Sequence, residues 1–139
     1  MKTTLGNQEK SSAAAGGVQL ETETALCQKT LQSLKELGLE MGPTFFPELL
    51  DTFEHDTFEH LAVLRAAITG GDTLRLGRES HALKGASLTF GARGMAEISK
   101  QLESLGIAYS VVGAPPLLAQ LEREFDRVKI EIEQERLTL

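Results

Sequence analysis

Tryptophan is absent from this 139-residue chain, tyrosine and cysteine occur once each, and aromatic residues make up only 5% of it. A lone cysteine, Cys27, excludes an internal disulfide. Long hydrophobic runs are missing too. No stretch approaches the roughly 18 apolar residues of a membrane span. The opening M-K-T-T-L-G-N-Q-E-K lacks the apolar centre of a signal peptide. Basic charge is scarce: 14 Lys and Arg stand against 20 Asp and Glu, a net charge of −6. An acidic chain without a basic run argues against nucleic acid or an anionic membrane as its partner. There is no G-x-x-x-x-G-K-[ST] loop and no glycine-rich strand–helix turn, so no nucleotide site is expected. The apolar content, 41%, suffices for one globular domain with one core. A cytoplasmic protein fits these bounds.

Nothing in the chain alternates as a strand does, and helical periodicity recurs throughout. Residues 1–18 are small and polar, as in Ser11-Ser12-Ala13-Ala14-Ala15-Gly16-Gly17, and read as a flexible tail or a linker. Residues 19–139 read as the folded domain. A first helix is expected from Leu20 to Leu37, with Leu31, Leu34 and Leu37 on its apolar face and Gly38 as its stop. Thr44 can cap the next helix, with Pro47 tolerated in its first turn. Its face runs Leu49/Leu50, Phe53, Leu61, Leu64, Ile68 over about 25 residues until Gly70-Gly71. Asp72 is a good N-cap for the helix that follows. From Ala92 to Leu105, the 3-4-3 spacing of Met95, Ile98, Leu102 and Leu105 is the seam of an antiparallel bundle, with Gly106 as the expected C-cap. After a loop over Gly106–Ala114, Pro115-Pro116 opens a last helix with the seam Leu118, Leu121, Phe125, Val128, Ile132. Its charged residues, Glu122, Arg123, Glu124, Arg127, Lys129, Glu131 and Glu133, read as a solvated outer face. The expected fold is all-α: an up-down four-helix bundle with an additional N-terminal helix.

The chemistry concentrates in Asp72–Gly91, D-T-L-R-L-G-R-E-S-H-A-L-K-G-A-S-L-T-F-G. On a helix of about 3.6 residues per turn, Gly77, Arg78, Lys84 and Gly85 share a face with His81. Leu83, Ala86 and Phe90, with Leu76 nearby, fall opposite. A glycine inside a helix costs about 1 kcal/mol relative to alanine, so two of them flanking one histidine need a reason. Close packing would want them on the inner face. Their outer position suggests instead that they let something bulky approach the imidazole. Neutral imidazole is a nucleophile near neutral pH, since its reference pKa is about 6.5. A phosphoryl group on the ring would place negative charge beside Arg78 and Lys84, the setting phosphoryl transfer requires.

His81-Ala82-Leu83-Lys84-Gly85-Ala86-Ser87, followed by Phe90-Gly91-Ala92, resembles the signature of histidine-containing phosphotransfer (HPt) domains: a His, a Leu two residues on, Lys-Gly, two small residues, and a Gly about ten residues after the His. Leu102-Glu103-Ser104-Leu105-Gly106 resembles the end of that family's next helix, and the likeness spans roughly Leu20 to the C-terminus. The resemblance implies that His81, on a central helix, accepts a phosphoryl group from a receiver-domain aspartate and passes it to another receiver. It implies a carrier without kinase activity, serving receiver domains and a hybrid sensor kinase, as a monomer. It implies no bound cofactor, the Mg²⁺ coming from the partner receiver. Lys84 and Arg78 would offset phosphoryl charge, and Gly85 would give access. Glu103, Gly77 and Ser87 are the further candidates around the ring, with Glu103 as an acceptor that fixes the imidazole tautomer. In that family the first helix also lends exposed apolar residues to receiver docking.

Two other classes compete. A non-catalytic helical adaptor needs none of the His-Lys-Gly set, which this chain has. A metalloenzyme bundle is suggested by the tandem Asp51-Thr52-Phe53-Glu54-His55 and Asp56-Thr57-Phe58-Glu59-His60. But His55 and His60, five residues and about 140° apart, cannot share a ligand face, and no Glu-x-x-His pair occurs. Both read as surface histidines, and no metal is expected. Glu79 projects inward without an identifiable partner.

Overall fold

The computed structural model describes residues 24–139, so the expected tail over 1–18 and the start of the expected first helix lie outside the described residues. Among the described residues there are five helices and no strand. They are α1 (Gln28–Met41), α2 (Phe45–Gly70), α3 (Thr73–Phe90), α4 (Arg93–Ile107) and α5 (Ala114–Leu137). Helices α2 to α5 close a ring in which each packs on its neighbours, and α1 lies against α2 and α3. The tightest pair is the α3–α4 hairpin. None of these helices is long and apolar enough to cross a membrane.

The seams pack as their spacing demands. Leu50, Leu64, Leu76, Leu83, Met95, Leu102, Leu121, Val128 and Ile132 are fully buried. Without tryptophan, the centre is filled by aliphatic groups and by Phe53 on Phe90, stacked with centroids 4.5 Å apart. Asp72 caps α3 as expected, its carboxylate accepting from the Arg75 N–H at 3.1 Å. The α3–α4 turn requires glycine at Gly91. Its φ is +82°, and a Cβ there would lie 2.9 Å from Thr30 Cβ. Its carbonyl accepts from the Cys27 N–H at 2.8 Å, tying the start of α1 to the hairpin.

Several boundaries and faces differ from expectation. Thr24–Cys27 precedes α1 without being helical. There the Ala25 and Leu26 N–H groups donate to the Glu131 carboxylate at 2.6 and 2.9 Å. Glu131 is therefore a long-range anchor, not part of a solvated face. Gly38 does not stop α1. It is buried within the helix against Phe46, and Gly42, at φ +119°, follows the true end. Glu124 is also buried, with Arg127 as a partner at 2.9 Å. It fills space left by Gly94, where a Cβ would overlap its carboxylate. Gly106 does not cap α4. It lies inside the helix, which runs one residue further to Ile107.

At Gly106 the two hairpin helices touch through their backbones. An added Cβ would sit 2.6 Å from Gly77 N, 2.7 Å from Gly77 Cα and 2.8 Å from Thr73 O. None of these is a flexible side-chain end, so relief requires the helices to part. We expect Gly106→Ala to destabilise the fold by about 1–3 kcal/mol, the usual cost of overpacking, despite alanine's better helix propensity. Gly85→Ala, where an added Cβ meets nothing within 4 Å, should instead be neutral or stabilising by up to ~1 kcal/mol. Thermal or urea unfolding of the two variants distinguishes these signs.

Candidate functional site

His81 stands on the outer face of α3, its side chain 70% exposed. The residues that put it there are those that bury the opposite face: Leu76, Ser80, Leu83, Ser87 and Phe90. Beneath the ring, α4 contributes Glu103. His81 Nδ1 lies 2.8 Å from Glu103 Oε2, and Lys84 Nζ lies 2.8 Å from Glu103 Oε1. Glu103 is the shielded member of this trio, 16% exposed, and Lys84 is partly covered at 27%. One carboxylate thus holds two side chains that sit a turn apart on α3.

The electrostatics follow from the contacts. The Lys84 ammonium hydrogen bond holds the Glu103 carboxyl below the ordinary carboxylate range, partial burial opposes this, and the His81 hydrogen bond adds to it. Glu103 is therefore ionised at neutral pH and can only accept. In the neutral ring Nδ1 then carries the hydrogen, and Nε2 keeps its lone pair. Nε2 has no partner among the described residues and faces the open side of the ring.

The other candidates separate. Arg78, one turn before His81, is exposed and has no ion-pair partner among the described residues. Gly85 is open, as an access glycine must be. Gly77 lines the groove beside His81 and also faces α4, where a Cβ of its own would make ordinary contact with Gly106 at 3.8 Å, so the packing does not by itself demand glycine there. Ser87 stands apart from the cluster altogether. It is fully buried on the inner face of α3, six residues beyond His81, and its hydroxyl does not reach the ring.

Three features were not legible beforehand. His60 is not a free surface histidine: it is half-buried on α2 and its Nδ1 meets Glu79 Oε2, supplying the partner that inward-facing Glu79 lacked. His55 does stay at the surface, 3.2 Å from Glu59. With Asp56 these form a group of ligand atoms within 4.8 Å of one another, all on exposed residues of α2. Finally, an open groove of about 490 Å³ runs from His81 toward the end of α4. It is lined by Leu74, Gly77, Arg78, Glu103, Ile107 and Tyr109 among others. The apolar residues at 107 and 109 carried a signal in sequence, exposed hydrophobics at a helix end, but no periodicity tied them to His81.

Comparison with known proteins follows the same line. Residues 48–131, more than half of the chain, match the family model described as the Hpt domain. The crystal structure of histidine-containing phosphotransfer protein B from Pseudomonas aeruginosa PAO1 is similar, with a TM-score of 0.77 and 37% sequence identity over 83% of this chain and 96% of that one. No curated protein matches the chain.

The trio makes a pH-dependent contribution whose sign is fixed. A carboxyl depressed in the folded state stabilises fully above its unfolded pKa, about 4.3 for Glu, and that stabilisation is lost as pH falls through the lowered folded value. Wild-type stability should therefore fall below about pH 4.3 more steeply than that of Glu103→Gln, whose amide does not titrate there. Urea midpoints measured from pH 6 down to pH 3 check this. Parallel curves would show that Glu103 is not coupled to its partners.

Proposed function

The chain belongs to the Hpt domain family and acts in histidine phosphotransfer within a phosphorelay, and on that premise we propose that His81 is the residue that carries the phosphoryl group. The observation that carries this reading is the hydrogen bond from His81 Nδ1 to Glu103. It fixes the tautomer and leaves the Nε2 lone pair directed outward, where a macromolecular donor can reach it.

The donor is the aspartyl phosphate of a receiver domain. The Nε2 lone pair attacks phosphorus, the bond from phosphorus to the aspartyl oxygen breaks, and its electron pair leaves with the aspartate carboxylate. The hydrogen stays on Nδ1 and is donated to Glu103, so the imidazolium character that develops faces a carboxylate. Transfer onward to a second receiver is the same step reversed. The Mg²⁺ that neutralises the phosphoryl oxygens comes with the receiver, so the chain is a carrier rather than a kinase. Arg78, without an ion-pair partner among the described residues, supplies positive charge beside the ring, and Lys84 can turn from Glu103 toward the phosphoryl oxygens. Gly85 leaves the approach clear on the α3 C-terminal side. The protein works as a cytoplasmic monomer, between receiver domains and a hybrid sensor kinase.

Incubation with a phosphorylated receiver domain and Mg²⁺ should place acid-labile, base-stable phosphate on His81. His81→Gln should abolish the label while the helical content stays unchanged. Label on the Gln variant would refute the assignment. Lys84→Ala should slow transfer, on the order of a hundredfold, without removing it.

A further inference from the structure

The end of α4 is closed by a six-residue hydrogen-bonded loop. The Tyr109 N–H donates to Gly106 O and the Ser110 N–H to Leu105 O, both at 3.0 Å. This is a Schellman closure, and its pivot must be left-handed, the position where glycine is cheapest. Gly42, Gly71, Gly91 and Gly113 are the other left-handed residues described, and Tyr109, at φ +56°, is the one that is not glycine. A β-substituted residue is disfavoured there, because its Cβ crowds the following carbonyl oxygen. The tyrosine ring gains little from the fold in return. The residue is 85% exposed, and its side chain has no hydrogen-bond or ring partner among the described residues. An unfavourable backbone position held by a large, unpartnered aromatic side chain points outward, to something the ring contacts.

The neighbours say what that is. Tyr109 lines the same groove as His81 and Arg78, with Ile107 at 69% and Leu74 at 61% exposure on its walls. A protein that brings an acyl phosphate to His81 meets this groove at the wall that the ring forms. Such a partner presents an acidic, Mg²⁺-holding pocket, complementary to Arg78, with its surrounding surface falling on Leu74, Ile107 and Tyr109. We propose that Tyr109 is a specificity-determining contact for the receiver domain, acting on docking and not on the chemistry at His81. This rests on the carrier reading given above.

Two donors separate docking from chemistry. A panel of aspartyl-phosphorylated receiver domains needs the surface. Phosphoramidate, which transfers its phosphoryl group with loss of ammonia, needs only the imidazole. In Tyr109→Ala, KM for the receivers that serve the wild type best should rise about tenfold or more, as for an aromatic interface anchor, while the rate of labelling by phosphoramidate stays unchanged. Tyr109→Gly should show the same loss although its backbone is relaxed, which separates the side chain from the strain. Tyr109→Phe, which keeps the apolar body of the ring, should stay within about threefold of wild type. If Tyr109→Ala transfers from every receiver as the wild type does, or if both donors slow equally, the Tyr109 assignment is overturned and the carrier reading stands. If the wild type itself takes label on His81 from neither donor, or from phosphoramidate but no receiver, the carrier reading fails and this inference with it.

Discussion

The close crossing of α3 and α4 at Gly77 and Gly106 is the constraint on which the site depends. With backbone against backbone at that point, the hairpin is narrow enough for short contacts across it. Glu103 lies three residues before Gly106, and His81 four residues after Gly77. Each is thus about one turn from the crossing, on the side where the chains face each other. That is why a glutamate side chain spans from α4 to both His81 and Lys84 at 2.8 Å. A side chain at Gly106 would push the helices apart and take Glu103 from the ring. The glycine cost in helix propensity is therefore offset by interhelical geometry, and the chemistry inherits that geometry.

The crossing also explains what sequence could and could not reveal. The seams of α2, α4 and α5, the Asp72 cap, the proline-led start of α5 and the exposure of His81 all follow from local periodicity. Local periodicity is a property of one helix, and each of these is decided within one helix. What escaped was decided between helices. That Gly77 has α4 as a neighbour as well as the ring could not be read from its own helical face. Gly106 looked like a cap because glycine at a helix end usually is one. Here the left-handed turn fell to Tyr109 instead, and Gly106 was needed one turn earlier for contact. Glu124 and Glu131 looked solvated because charged residues on the far side of a seam usually are. One is accommodated by Gly94 and the other receives two backbone N–H groups from residues 106 and 105 positions away. His60 and Glu79, 19 residues apart on different helices, each looked unremarkable until paired.

Among the site residues, the sequence pattern located His81, Lys84, Gly85 and Arg78 because they share one face of one helix. Glu103 could be placed near them only through the family resemblance, since it comes from another helix. Ser87 belonged to the motif by spacing alone. Six residues from His81 is 240° around the helix, which turns it into the core, and the small size that made it part of the signature serves packing under α3.

The charge arrangement shows why the cluster is more than a tethered histidine. In the trio the charges of Glu103 and Lys84 offset each other, so their pair presents little net charge that would repel an anionic donor. Arg78 is outside this balance and remains available as attraction. On the proposed reading, a phosphoryl group with its roughly two negative charges on Nε2 would change the balance. Glu103 would then face a ring with cationic character, and Lys84 would have a second anion within one turn on its own helix. The proposed loaded state would thus need only a redistribution of contacts among the same three side chains. A carrier has to be nearly indifferent between giving and receiving, and a cluster whose pairings can be exchanged at little net cost meets that requirement. A deep, fully paired anion site would not, because it would hold the phosphoryl group too well to pass it on.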